Sequence, residues 1–489
     1  MGNNEVTKSN IIKSLVYKFI ERCGYQGIAF IVQIILARLL DPTDYGVLTI
    51  LTIFTTLAQV FVQSGFNTAL IQRKDATDND FSSVFYVSIS IAVLLYGVLF
   101  AASPFIADFY GMPELKKIMR ILALILIPGA FNSIQNAKIA KEMQFKKLMY
   151  CTLGAVIISG TVGILMAYMG FGVWALVAQQ LSNQVSICII MMFVVKWRPK
   201  LVFEFDRVKT LFSFGWKLLC SNLIDTLYKD LRSLVIGKKY DSKTLGFYNR
   251  GKQFPELIIN NINGAVQSVM LPALAKHQND KARMKAMMRR SIVTSSFIIF
   301  PIVMGLAVTA EPLVSLILSD KWMPCVPYMR IYCFTMAFYP IHSANLQALN
   351  AQGRSDIFLK LEIIKKLFGI IILLITVFCF DSPIAIAMGG AVATLISCFI
   401  NASPNKILLE YNYFEQMRDI VPSAGISLIM GAVTYCVQFL GLASWLTLLI
   451  QIPLGIVVYI VLAELFRLEC YKYLKTNILG FLKKRKKSA

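Results

Sequence analysis

Asn249, Gln253, Glu256, Asn260, Asn263 and Gln267 are separated by 4, 3, 4, 3 and 4 residues, the spacing that sets six side chains on one face of an α-helix. Arg250 and Lys252 flank this stripe. A second stripe precedes it, with Lys217, Ser221, Asp225, Tyr228 and Arg232 spaced 4, 4, 3 and 4. Earlier in the chain, Thr52, Thr56, Gln59, Gln63 and Asn67 run along one side, and Glu21, Arg22, Tyr25 and Gln26 are grouped. These residues offer three kinds of chemistry. The bases Arg22, Lys217, Arg232, Arg250 and Lys252 can hold an anion, and the planar arginine fork suits phosphate in particular. The acids Glu21, Asp225 and Glu256 can pair with those bases, or titrate and bind H⁺ or Na⁺. The amides can exchange hydrogen bonds with a polar ligand.

Bond-making chemistry finds no such support. The only two histidines, His277 and His342, lie far apart, no cluster has metal-ligand spacing, and there is no GxxxxGK[ST] phosphate loop. The ten cysteines are scattered without a CxxC pair and read as packing residues. Asn401-Ala402-Ser403 matches a glycosylation acceptor, but it ends a hydrophobic run and is followed by Pro404.

The elements that carry the stripes are membrane spans. Of the 489 residues, 57% are hydrophobic and 16% charged, against about 25% charged in an ordinary soluble domain. The excess lies in stretches long enough to cross ~30 Å of hydrocarbon. Fourteen are expected, at 15–39, 44–70, 81–106, 115–137, 148–169, 173–195, 211–236, 246–275, 291–318, 327–350, 359–380, 384–404, 421–441 and 444–466. The polar start, Met1 to Leu15, is not expected to act as a cleavable signal sequence. Inside such spans a charge costs ~2.5–3.5 kcal/mol on insertion scales. The polar faces must therefore meet a water-filled cavity or another polar helix. For Lys217, Arg250 and Lys252 there is a plainer alternative, in which they lie near helix ends and snorkel to the interface. Pro128, Pro301 and Pro340 fall well inside spans and should bend them.

The formal net charge of +22 is gathered in alternate loops. Lys138, Lys141, Lys146 and Lys147 form one group, Lys196, Arg198, Lys200, Arg207 and Lys209 a second, and Lys276, Lys281, Arg283, Lys285, Arg289 and Arg290 a third. The tail adds Lys483, Lys484, Arg485, Lys486 and Lys487. Lys238, Lys239 and Lys243 break the alternation. The pattern places both termini in the cytoplasm and assigns the basic groups to anionic lipid headgroups, with no nucleic-acid partner.

The chain also repeats itself. A shift of 200 residues lays Asp41 on Asp241, Gly46 on Gly246, and Gln63 and Asn67 on Asn263 and Gln267. A shift of 210 lays Met119-Arg120-Ile121 on Met329-Arg330-Ile331, and Ser133 on Ser343. Six spans per repeat return the chain to its starting side, so the halves should be related by an axis along the membrane normal. The expected fold is an all-α membrane protein with a six-helix lobe at 1–200, a second at 201–410, an extra hairpin at 411–466 and a basic tail at 467–489. Because the first two helices of each lobe carry the polar faces, the expected site is a central cavity lined by bases and amides. Its candidate substrate-binding residues are Arg22, Gln63, Asn67, Lys217, Arg232, Asn249, Arg250, Lys252, Gln253, Asn260, Asn263 and Gln267.

Several motifs resemble one family. Leu36-Ala37-Arg38-Leu39-Leu40-Asp41-Pro42-Thr43-Asp44-Tyr45-Gly46 is similar to the first loop of the polysaccharide-repeat-unit flippases of the multidrug/oligosaccharidyl-lipid/polysaccharide exporter superfamily, and so is Gly65-Phe66-Asn67-Thr68-Ala69-Leu70-Ile71-Gln72-Arg73-Lys74-Asp75. Gly172-Val173-Trp174-Ala175-Leu176-Val177-Ala178-Gln179-Gln180 resembles the start of its sixth helix, and Leu245-Gly246-Phe247-Tyr248-Asn249-Arg250 its second-half counterpart of the first loop. The resemblance spans essentially the whole chain and is strongest to the colanic-acid and teichuronic-acid exporters. It implies a non-enzymatic inner-membrane flippase that moves undecaprenyl-pyrophosphate-linked oligosaccharide repeat units to the outer leaflet by alternating access, for lipopolysaccharide or exopolysaccharide assembly. A polysaccharide polymerase and assembly machinery are the implied partners. No cofactor is implied, and coupling to a Na⁺ or H⁺ gradient stays open. The Asp41–Gly46 loop itself reads as structural, with Asp41 capping the second helix and Pro42 in its first turn. A cation-coupled multidrug extruder of the same fold is the alternative, but its cavity should be acidic. A membrane glycosyltransferase or polymerase would need a large external loop that this chain lacks.

Overall fold

A computed structural model describes residues 8–63, 66–73 and 76–476. The basic tail at 483–487 lies outside the described residues, as do Gly65, Lys74 and Asp75 of the second motif. The described residues form helices and turns, with no strand among them. Packing divides the chain into two units, Met1–Gly246 and Phe247–Ala489.

The first unit contains α1 (Lys8–Leu39), α2 (Pro42–Gln63), α3 (Phe66–Gln72), α4 (Asp78–Tyr110), α5 (Glu114–Leu122), α6 (Leu126–Lys141), α7 (Phe145–Tyr168), α8 (Val173–Val194), α9 (Phe205–Lys239) and the first turn of α10 (Ser242–Ala275). α7 lies along both α1 and α8, α4 covers α5 and α6, and α9 packs on α2, α3 and α4. The second unit holds the rest of α10, then α11 (Lys281–Val308), α12 (Ala310–Ile317), α13 (Val326–Ala337), α14 (Tyr339–Ala351), α15 (Ser355–Cys379), α16 (Pro383–Leu408), α17 (Tyr413–Tyr435) and α18 (Ser444–Leu465).

Eleven helical stretches are long and apolar enough to cross a membrane. The other three expected spans fall on α9, on the pair α13–α14, and on α15. α9 carries the charged stripe, α13 and α14 are each short, and α15 holds Lys360, Glu362, Lys365 and Lys366. Large apolar side chains stand outward along the spans, among them Phe193 at 84% and Phe378 at 82% exposure. Outward apolar residues at this density belong to a lipid-facing surface, since a soluble monomer seldom leaves such patches uncovered.

The fourth span of each repeat is broken at a matching place. The first breaks through a 3₁₀ turn, Ala123–Ile125, just before Pro128, and the second breaks ahead of Pro340. In both, the proline lies in the first turn of the helix after the break, where its missing N–H leaves no helical hydrogen bond unmade. Pro301, by contrast, stays inside an unbroken α11.

The loops that open α2 and α10 touch each other within the first unit. A Cβ added at Gly46 would lie 1.7 Å from the Ser242 carbonyl oxygen, and one at Gly246 would lie 2.1 Å from that of Pro42. Only glycine permits this approach of backbone to backbone. Each turn is closed by an aspartate. Asp44 Oδ2 accepts from the Asp41 N–H at 3.1 Å, and Asp241 Oδ1 accepts from the Thr244 N–H at 2.6 Å.

In the second unit, α17 is fastened to α11 at both ends. Lys285 donates to the Glu410 carbonyl, Arg289 pairs with Asp419 at 2.9 Å, and the Tyr411 hydroxyl donates to Asp419 at 2.6 Å. Further along, Gln438 donates to the Val308 carbonyl at 2.8 Å, and Tyr459 of α18 donates to that of Phe297 at 2.8 Å.

Candidate functional site

In the first unit the polar faces of α1 and α9 keep their bases available. Glu21 is held by Lys18 at 2.8 Å, while the neighbouring Arg22 is exposed. Lys217 is exposed on α9, and Asp225 and Tyr228 are half-buried below it. Arg232 is half-buried, and its Nε is buried without a hydrogen-bond partner among the described residues. On α2, Thr52 accepts from Gln180 of α8 at 3.5 Å, and Gln63 is half-buried. Asn67 lies on α3 and donates to Ser133 of α6.

In the second unit the α10 face is organised differently. Arg250 is only 5% exposed: its Nη1 donates to Gln253 Oε1 at 2.7 Å, and its guanidinium lies 5.1 Å from the ring centre of the fully buried Trp322. Lys252 reaches Glu256 at 3.5 Å and stands 6.0 Å from the Tyr332 ring, whose hydroxyl is 2.6 Å from that of Tyr248. Asn249 is half-buried, Asn260 exposed and Asn263 buried. Gln267 Oε1 accepts from Gln347 Nε2 of α14 at 3.0 Å. The six stripe residues therefore share a face but not an environment.

Three features escaped the sequence reading. Asp80, fully buried at the start of α4, accepts from Arg207 with both carboxylate oxygens (3.1 and 3.0 Å) and from the Thr77 N–H at 2.7 Å. It anchors the segment that leads into α9, where Glu204 N–H also donates to Ser83 Oγ at 3.0 Å. The spacing Thr77-x-x-Asp80 carried the capping signal, but nothing local pointed to Arg207. The second feature is Trp322 beneath Arg250. The third is a buried polar column. His342 lies 3.1 Å from Cys398 Sγ and 3.0 Å from Asn401 Nδ2, and one turn on, Asn345 bonds Asn405 and Gln416 at 2.8 and 2.7 Å. The 210-residue shift lays Asn132 and Gln135 on His342 and Asn345. Asn132 performs the matching task in the first unit by donating to Gln184 Oε1 of α8 at 2.9 Å. Asn401 is fully buried within this column, so its glycosylation match carries nothing. Among the described residues no three His, Cys, Asp or Glu groups gather as metal ligands.

The family model described as "Polysaccharide biosynthesis protein" matches residues 35–327. The chain belongs to that family. Among its relatives is the teichuronic acid biosynthesis protein TuaB of Bacillus subtilis, 25% identical over 432 residues that cover 87% of this chain and 88% of that one. Another is the lipopolysaccharide biosynthesis protein WzxC of Escherichia coli, 23% identical over 437 residues, 88% of this chain and 84% of that one. The fold is similar to that of the lipid II flippase MurJ in its inward closed conformation, with a TM-score of 0.73, 17% identity, and 93% and 98% of the two chains covered. It is also similar to an inward-facing multidrug resistance MATE transporter, with a TM-score of 0.60, 14% identity, and 81% and 99% covered. The protein is thus an all-α, multi-pass membrane protein of the polysaccharide biosynthesis family.

Proposed function

We propose that the chain moves a polyprenyl-pyrophosphate-linked oligosaccharide repeat unit from the cytoplasmic to the outer leaflet of the inner membrane, by exposing its polar faces alternately to the two sides. The observation that carries this reading is the set of bases on α1 and α9 of the first unit: Arg22 and Lys217 are exposed, and Arg232 keeps an Nε with no partner among the described residues. A pyrophosphate is the part of such a lipid that hydrocarbon tolerates least. Charge-assisted hydrogen bonds from these side chains replace the water it gives up. Each such bond is worth ~1.5–3 kcal/mol, roughly a factor of ten to a hundred in binding. Replacing Arg232 by glutamine should leave an inserted, stable protein whose export falls by at least about tenfold, with lipid-linked repeat units accumulating on the inner leaflet. Arg232→Lys should rescue in part, since it keeps the charge and loses the fork. Full-rate export by a normally expressed Arg232→Gln variant would refute the reading.

In this reading both termini lie in the cytoplasm, as the alternation of basic loops supports, and the segment from Lys238 to Lys243 faces outward, where a polymerase would take over the delivered unit. In a variant freed of its ten native cysteines, Lys243→Cys should react with a membrane-impermeant maleimide in intact cells. Labelling only after the membrane is opened would reverse the topology.

A further inference from the structure

Lys238, Lys239 and Lys243 break the alternation of basic loops along the chain, and the structure gives the three lysines different surroundings. We propose, resting on the flippase reading above, that Lys239 and Lys243 form an exit site at the outer end of α9, wholly within the first unit, which takes the pyrophosphate from Arg232 and passes it to the outer leaflet.

On that reading the three lysines face outward, against the usual bias of membrane proteins, so each needs a reason. Lys238 has one inside the fold. It donates to the Phe109 carbonyl near the end of α4 and stands 4.4 Å from the Phe109 ring, and the Tyr110 hydroxyl donates to the Leu234 carbonyl at 3.5 Å. These contacts fix the outer end of α9 to α4, and one cation there also meets the negative end of the α9 dipole. Lys239 and Lys243 are exposed. Lys243 lies in the first turn of α10, the positive end of that helix, where the dipole opposes a cation. Lys239 stands 5.6 Å from the Tyr240 ring and extends the polar face of α9. Asp225, Arg232 and Lys239 follow one another at intervals of seven residues, and a heptad is two turns less about 20°. Lys239 therefore stands over Arg232, about 10 Å nearer the outer end of the helix. An anion leaving Arg232 along this face meets Lys239 next. The order of side chains favours release. Arginine's planar fork grips a phosphate through paired hydrogen bonds, whereas lysine's compact, strongly hydrated ammonium holds it as a point charge. A second cationic station also shortens the stretch over which the phosphate has no countercharge.

The test uses the full chain in proteoliposomes, reconstituted with its termini inside, in phosphatidylcholine alone and in phosphatidylcholine with phosphatidylglycerol. The probe is undecaprenyl pyrophosphate carrying one N-acetylglucosamine, and a lectin in the external buffer reads its arrival in the external leaflet. Lys239→Gln combined with Lys243→Gln should lower kcat about fivefold, the upper worth of an exposed ion pair. KM should stay within about twofold, because the loading end is untouched. Lys243→Gln alone should show the same change in smaller measure. Raising the salt from about 0.1 M to about 1 M shortens the screening length from about 10 Å to about 3 Å. Native transport should slow with it and the double variant should respond less, a difference that two merely structural lysines would not produce. Lys238→Gln, by contrast, should lower the melting temperature and keep the native salt response. The inference is overturned if the double variant, with native melting, transports at the native kcat or keeps the native salt response. It is overturned equally if the deficit appears only where phosphatidylglycerol is present, since the lysines would then hold bulk lipid headgroups. A native chain that moves no probe would instead remove the flippase reading itself.

Discussion

Replacing Gly46 or Gly246 by alanine is expected to lower the thermal stability of the detergent-purified protein and to cut export by at least tenfold, although alanine is the better helix former. The added carbon would sit 1.7 Å from the Ser242 carbonyl oxygen in one case and 2.1 Å from that of Pro42 in the other. Both obstacles are backbone, so no rotamer change relieves them, and the openings of α2 and α10 must separate. Forcing a methyl into a packed contact ordinarily costs ~1–3 kcal/mol, and these distances place the two sites at or above the upper end of that range. Because the two glycines share one contact, their effects should not add: once either substitution has parted the turns, the second has less to disturb. Melting followed by tryptophan fluorescence on both single variants and the double variant reads this directly. Native melting and export by the double alanine variant would show that the approach is dispensable.

The second large effect is expected at Asp80. Its side chain is fully buried and receives both Arg207 hydrogen bonds together with the Thr77 N–H. Breaking a buried pair by removing one partner costs ~3–5 kcal/mol. Arg207 is 39% exposed, and solvent screens part of that interaction, so about 2–3 kcal/mol is the fitting expectation for Asp80→Ala. The damage should be directional. Arg207 keeps Glu204 at 2.6 Å, whereas α4 loses both the reciprocal half of its cap and its hold on the segment before α9. A double-mutant cycle with Arg207→Gln separates the pair from the cap: coupling near zero would show that Asp80 acts through Thr77 alone. Limited proteolysis after Lys200, faster in Asp80→Ala than in the native protein, would report the loosened segment.

Much of this is legible in the sequence, because the strongest signals are local. Hydropathy over a helix length found the spans, and the 3–4 spacing found the α10 face, since both depend only on neighbours within the same helix. What could not be read depends on partners far along the chain. Nothing around Arg250 announces Trp322, and nothing around Asp80 announces Arg207. Asn67 matched Gln267 in the repeat, yet the two amides find different kinds of partner, a Ser133 hydroxyl for Asn67 and the Gln347 amide for Gln267. Breaks of the kind seen before Pro128 and Pro340 were legible as prolines but not as ends, since proline marks a helix's first turn as readily as a bend within it.

The fastening of the last hairpin to α11 has a mechanical consequence. Ion pairs and hydroxyl bonds near one end of α11 and amide and phenol bonds further along leave α17 and α18 little freedom to slide against it. Any tilt of α11 therefore carries two more helices with it, and their outward Leu449, Ile456 and Leu465 sweep through acyl chains. The surrounding lipid becomes part of the load. Matching a hydrophobic surface to a bilayer of the wrong thickness costs fractions of a kcal/mol per Å, and a three-helix body multiplies the perimeter over which that cost is felt. The thickness of the host membrane then acts as a spring on the cycle proposed above.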